Sequence, residues 1–430
     1  MMPGRSASAC VSLTLPGQRI RGLPTGLSGA CYWERAESGH RLLSIGRAWQ
    51  ADASGPGRLD RLRMSLPAFS TRLKVLDPDG TGSEPRFLMM ASFSDEATDA
   101  LPQTPSASLW LPQVLLEEID NRCRLCVSLS GDWETALDQL MPALDGHQRP
   151  VAKTQRLERV SEMPSADRWL DEASLALTEI RCGRMAKVVL ARRVEVRGRY
   201  PFDPVRLVRL LSARHPKTTV FALDTGQGCL VAATPERLLS ARSGHVQSDA
   251  LAGTAPRGLT ADEDRQISEW LLRDNKNRQE HGLVVDAVRQ AMAAHCVEAL
   301  APTEPSLYRT GGLQRLHTPI VGRLRQGQHA LSLAQSLHPT PAVGGTPQQT
   351  ALDWIRDHES VDRGWFAGLA GWLDGDGNAE LNVILRCALL QGSTAFVHAG
   401  AGLVANSEPE QELAETELKL AVLMNTLKEV

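Results

Sequence analysis

From Lys187 onward this chain sets short apolar runs one after another, with tight polar turns between many of them. KVVLARRVEV reads as a strand whose first half is buried on both faces. Strands follow at 219–223, 229–233, 238–242 and 246–252, with DTGQG and RSGH as turns. GWFAGLAGWLD, AELNVILRCALL and TAFVHAGAGLV are three further strand candidates. Such a series forms meanders and lacks the regular βαβα alternation of a doubly wound sheet.

Helices punctuate the series. In residues 165–182, Trp169, Leu170, Ala173, Leu177 and Ile180 form one stripe, and Gly183 is placed to end the helix. A long helix is predicted from about 262 to 296, another from 347 to 358, and a last one from Ser407 to the end. The class is therefore α/β or α+β. Residues 1–150 are less patterned, with Gly, Pro and Ser in GPGRLDRLRMSLPA and DPDGTGSEP. RLLSIGRAW and RFLMMASF read as strands, and SLWLPQVLLEEIDNRCRLCVSLSG as two strands around a turn near Asp120 and Asn121.

With 42% apolar and 23% charged residues, the 430-residue chain has material for a substantial core. A net charge of −3 carries no chain-wide footprint for nucleic acid. A membrane span needs a run of about 18 apolar residues, which the chain lacks. The start, MMPGRSASACVSLTLPGQ, lacks the apolar region of a secretory signal. The 8 cysteines show no disulfide-framework spacing, so a reduced, cytoplasmic compartment is expected.

Cys123 and Cys126 form a lone C-x-x-C without a second pair, on an alternating strand. Asp374, Asp376 and Asn378 begin like a calcium loop, but Ala379 stands where that loop needs glycine, so a hairpin turn is expected. Gly400 and Gly402, between a strand and the last helix, are either a tight turn or a backbone anion cradle. Glu280 lies four residues before Val284 and eight before Val288, on the apolar stripe of the long helix. A carboxylate there is costly unless paired or metal-bound.

On the last helix Ser407 is the expected N-cap, with Glu410 as its capping-box partner. Glu412, Glu415 and Lys419 share one face. They form either a solvated face with a Glu415–Lys419 pair or, from the two glutamates with Glu280, a set of hard oxygen ligands suited to Mg²⁺. Lys187 either snorkels to water from a strand edge or faces a pocket that lowers its pKa. Glu236 follows Pro235 between two strands, and Arg386 sits inside AELNVILRCALL, where a buried cation awaits an anion.

Taken in order, these segments resemble the chorismate-utilising enzymes, and among them the isochorismate synthases. The blocks are KVVLAR, ATPERLL, ALAGTAPRG, NKNRQEHGLVVDAV, HTPIVGRL, LHPTPAVGGTP, DRGWFAGLAGWLDGDGN, ILRCALL, HAGAGLV and SEPEQELAETELKL. They make 151–430 the catalytic core, while 1–150 matches faintly and completes the fold. The resemblance implies one large domain of two related halves. Its sheets would pack face to face, with helices outside and a deep central site for chorismate and Mg²⁺.

By the resemblance, Glu280 and Glu415 would be metal ligands, with Glu412 helping through water. Lys419 would sit near the ring carboxylate. Arg386 and the backbone of Gly400, Ala401 and Gly402 would hold the enolpyruvyl carboxylate. His338 and the segment Leu251, Ala252, Gly253 and Thr254 would line the ring. Lys187 matches the family's general base and Glu236 its general acid. Lys187 stands where ammonia-using relatives carry Gln, and Ala252 where aminodeoxychorismate synthases carry Lys. Water is then the nucleophile and no glutamine amidotransferase subunit is expected, with a monomer the family's commoner state. A salicylate synthase, which goes on to eliminate pyruvate, and an inactive chorismate-binding regulator are the alternatives. Phe366 stands where relatives often have Tyr. The isochorismate could feed menaquinone, siderophore or salicylate biosynthesis.

Overall fold

A computed structural model of the chain describes residues 9–21, 29–70, 72–80, 84–96, 98–101, 104–145 and 154–430. The expectations for the first residues, for part of DPDGTGSEP and for the boundary near 150 fall on residues outside that set.

The meander expectation is met. Among the described residues, thirteen strands form one sheet and ten another. Neighbours are antiparallel except where Ala9–Leu15 runs beside Lys74–Leu76. Both sheets draw on both ends of the chain. Thr219–Asp224 pairs with Ala30–Arg35 in the larger sheet, and Leu369–Asp374 with Arg86–Ala91 in the smaller. Their inner faces meet: Trp33 of the larger sheet stands edge-on to Trp372 of the smaller, ring centres 6.5 Å apart, in one apolar cluster.

Helices close the outer faces. Leu207 and Leu211 of helix Pro204–Arg214, with Leu420, Leu423 and Leu427 of helix Pro409–Leu427, cover Val194, Val220 and Val231 of the larger sheet. Burying each such leucine contributes roughly 1.5–3 kcal/mol. Val284, Val288 and Met292 of helix Asn275–His295, with Leu331 and Ala334 of helix Ala330–Leu337, do the same for the smaller sheet. None of the described helices is long and apolar enough to cross a membrane.

Several local expectations need correction. GPGRLDRLRMSLPA, marked from the sequence only by its Gly, Pro and Ser, carries helix Arg58–Ser70, which buries Leu59, Leu62 and Leu66 at helical spacing. The helix expected over 262–296 is two, Ala261–Arg273 and Asn275–His295. Asp274 is extended between them, and its carboxylate accepts from Asn277 N at 2.9 Å. A side chain that caps a new helix competes with continuing the old one. The last helix starts at Pro409 rather than beside Ser407, with Glu408 as N-cap. Proline is preorganised for the first helical position. The Ser407 hydroxyl donates instead to Glu412, at 2.7 Å.

AELNVILRCALL is not one strand. Ala379–Val383 lies in the smaller sheet and Cys387–Gln391 in the larger, so Arg386 stands at the crossing, with φ +50°. DGDGN is the expected hairpin turn between Leu369–Asp374 and Ala379–Val383. Cys123 and Cys126 are buried on strand Arg122–Ser128.

Candidate active site

Two crossings between the sheets lie side by side. The chain leaves the larger sheet at Thr234 and enters the smaller at Arg237, with Glu236 on the way. It returns between Val383 and Cys387, with Arg386 on the way. The crossings are pinned together: Val383 N donates to Glu236 O (3.0 Å), Ala233 N to Arg386 O (3.1 Å), and the Thr234 hydroxyl to Val383 O (2.6 Å). These bonds thus hold an acid and a cationic side chain next to each other where the chain crosses between the sheets.

Strand Thr394–Leu403 forms a wall. Its burial alternates strictly, sending Ala395, Val397, Ala401 and Leu403 into the core and His398, Gly400 and Gly402 to the opposite face. Gly402 pairs with Val189 on strand Lys187–Gly198. A Cβ there would lie 2.8 Å from Glu280 Oε1 and 2.9 Å from Lys187 Cε. The missing side chain is the space in which Lys187, 1% exposed, reaches Glu280 at 2.8 Å. A Gly402→Ala variant should therefore separate that pair and lower activity at least roughly tenfold, since small misplacements in a site are costly. Activity within twofold of the unaltered protein would show the contact to be dispensable.

The buried stripe of helix Asn275–His295 runs through Asn277, His281, Val284, Val288 and Met292 rather than through Glu280. Glu280 flanks the stripe, and its side chain is still only 13% exposed. Opposite it, strand His245–Pro256 carries a bulge between Ala252 and Thr254, centred on Gly253 at φ +75°. A Cβ on Gly253 would press on Asn277 at 3.1 Å.

These elements enclose a cleft lined by Glu236, Glu280, Glu415, Lys419, Arg386, Gly400, Gly402 and the segment Leu251–Thr254. Lys187 stands directly behind Glu280 and Gly402. Three expected residues lie elsewhere. Ala401 faces the core. His338 is buried with Nε2 2.9 Å from Ala367 O, and burial pushes its imidazole down to about 3. Glu412 is buried against Lys276 and Ser407, outside the cleft lining. The cleft also contains residues not singled out from the sequence, chiefly Arg315 and His398. His398 stacks on Phe366, rings 5.4 Å apart and 14° from parallel.

The electrostatics are uneven. Burial raises the Glu236 carboxyl to about 7, against the opposing charges of Arg315 and Lys187 and a 3.4 Å hydrogen bond from Thr340. Burial lowers Lys419, which donates to Gly400 O at 2.7 Å and pairs with Glu415 at 2.5 Å. Burial would raise Glu415, but Lys419 brings its carboxyl below the usual range. Burial and the Glu415 charge raise Glu412.

Glu280, Glu412 and Glu415 are hard oxygen donors, the chemistry Mg²⁺ requires. Each already faces a cation: Lys187 for Glu280, Lys276 for Glu412, Lys419 for Glu415. Among the described residues no three His, Cys, Asp or Glu side chains converge closely enough to hold a metal. The donor types fit the ion, and the cationic partners show that these carboxylates are built to face positive charge. The converged ligand cage expected from the resemblance is not formed.

Comparison with known proteins completes the description. Residues 21–428 match a family described as chorismate binding enzyme. The salicylate biosynthesis isochorismate synthase of Pseudomonas aeruginosa is 41% identical over 282 residues, 66% of this chain and 59% of that protein. Isochorismate synthase MenF of Bacillus subtilis is 40% identical over 261 residues, 61% of this chain and 55% of that protein. The matched stretch thus spans less than two thirds of either relative. Among solved structures, the menaquinone-specific isochorismate synthase MenF of Escherichia coli superposes with a TM-score of 0.78 at 24% identity, covering 97% of this chain and 94% of that one.

Proposed function

The chain belongs to the chorismate-binding enzyme family, of the isochorismate synthase type, and from that membership we propose that it converts chorismate reversibly to isochorismate. Water adds at ring carbon 2, the double bonds shift, and the carbon 4 hydroxyl departs. The observation that carries this reading is Glu236: a carboxyl buried between the sheets, raised to about 7, on the same cleft that Lys187 approaches through Gly402. A carboxyl that still holds its proton near neutral pH can donate it to a leaving hydroxyl.

Lys187 Nζ accepts the proton of the attacking water as oxygen bonds to carbon 2. Glu236 gives its proton to the oxygen leaving carbon 4. One water enters and one leaves, so the reaction is an isomerisation. Only the free amine has the lone pair for the first step, and Glu280 stabilises the ammonium once formed. Only Oε1 of Glu280 faces Lys187, which leaves Oε2 for a metal ion. Glu280 and Glu415, with Glu412 through water, would hold Mg²⁺, which when bound draws negative charge onto the ring carboxylate. Arg386 and the Gly400–Gly402 backbone hold the enolpyruvyl carboxylate, and the enzyme works without an amidotransferase subunit.

Incubation with chorismate and Mg²⁺, followed by mass and fluorescence analysis, should yield isochorismate, and added ammonia should yield no anthranilate. Fluorescent salicylate with released pyruvate would replace the reading by a salicylate synthase. Saturable chorismate binding without turnover would make the protein a regulator.

A further inference from the structure

Arg315 lies on strand Leu313–Leu324, opposite Thr254 at the Gly253 bulge and opposite Tyr308 on the other side. It lines the cleft, is 7% exposed, and its Nη1 has no hydrogen-bond partner. Arg386, 8% exposed, lines the same cleft. Neither guanidinium forms an ion pair with a carboxylate among the described residues. Of the cleft carboxylates, Glu280 and Glu415 are taken by Lys187 and Lys419, and Glu236 feels the Arg315 charge without forming an ion pair with it.

A desolvated cation without an anion is costly, and two in one wall repel each other as well. That repulsion is felt: burial first and the Arg315 charge second press Arg386 well below the ordinary arginine range. Such a wall is complementary to an anion with a planar, two-oxygen head, which a guanidinium grips through paired N–H groups. On the proposed reading the substrate brings two carboxylates, and the ring carboxylate is met at Lys419.

We propose that Arg315 is a substrate-contacting residue whose guanidinium, with that of Arg386, grips the carboxylate of the enolpyruvyl arm and makes the cleft selective for a dicarboxylate. This deepens the chorismate reading and rests on it.

The test is titration calorimetry of chorismate, and of 4-hydroxybenzoate as a probe with a ring carboxylate but no enolpyruvyl arm, into metal-free protein. Arg315→Gln should weaken chorismate 10- to 100-fold and 4-hydroxybenzoate less than threefold. Arg315→Lys should recover part of the loss. In turnover, the Arg315→Gln variant should raise KM at least tenfold with kcat within fivefold. Unchanged chorismate affinity, or an equal loss for both probes, overturns the assignment. A fall in kcat at unchanged KM would do so too, since it places Arg315 on the reacting centre and not on the arm. Failure of the reading underneath is told apart in the unaltered protein: tight chorismate binding with a product other than isochorismate removes the proposed reaction and leaves the Arg315 result standing.

Discussion

Replacing Lys187 by methionine should lower kcat for chorismate by roughly 10²- to 10⁴-fold, the usual contribution of a positioned acid or base. Methionine keeps the length and apolar stem of a side chain that is 1% exposed, so no large cavity opens behind the cleft. What is lost is the nitrogen, and with it the 2.8 Å contact to Glu280. Glu280 keeps contact with solvent through the cleft it lines, so the variant should fold. Chorismate affinity should change little, because on the proposed reading the substrate's carboxylates are met by Arg315, Arg386 and Lys419. Stopped-assay product analysis and circular dichroism together check the prediction. Turnover within tenfold of the unaltered protein, with the fold intact, would remove Lys187 from the role of base.

Glu236→Gln should lose activity by a similar factor while making the protein more stable at alkaline pH. Both effects follow from one buried proton. The acid must be protonated, so kcat/KM, which reports the free enzyme, should fall as pH rises through about 7, where burial has moved Glu236. The stability effect has a definite sign. The carboxyl is raised from 4.5 to about 7 on folding, so between those values the folded state binds more protons than the unfolded one. The stability this group contributes is present below its unfolded value and is lost as pH rises through its folded value. The loss amounts to about 3 kcal/mol once the group is ionised in the fold. Glutamine carries no such proton. Its melting temperature should therefore exceed that of the unaltered protein at pH 8.5 and converge with it at pH 5. Equal melting curves at both values would mean that Glu236 is not desolvated as the fold indicates. A pH-independent kcat/KM across 6 to 8 would separate Glu236 from the departing hydroxyl.

The individual elements were largely legible because their causes are local. Alternation places residues of Thr394–Leu403 on two faces, and a helical stripe places Trp169, Ala173 and Leu177 against the core. The Glu415–Lys419 pair was legible for the same reason, since four residues on a helix are one turn. What that spacing could not tell is that the pair is sunk in a cleft and not on a solvated face. The Asp274 break was less visible, because an Asx cap looks like any polar residue in a helical run until the chain turns. Arg315 was within reach: it is a cation in a strand interior, two residues ahead of the HTPIVGRL block. The reasoning applied to Arg386 applies to it unchanged.

Local pattern, then, settles which segments become strands or helices and which side chains leave the core, because backbone sterics and burial act over neighbouring residues. It also assembled, in the right order along the chain, the side chains on which the proposed chemistry depends. It could not settle which sheet a strand joins, so a run that reads as one strand is split between two sheets and delivers Arg386 at the crossing. Nor could it pair Lys187 with Glu280, 93 residues apart, or Lys276 with Glu412, 136 apart. Charge and desolvation act through space and not along the chain. The protonation of Glu236, the partners of the three acids and the two unpaired arginines therefore exist only once the sheets have closed around them.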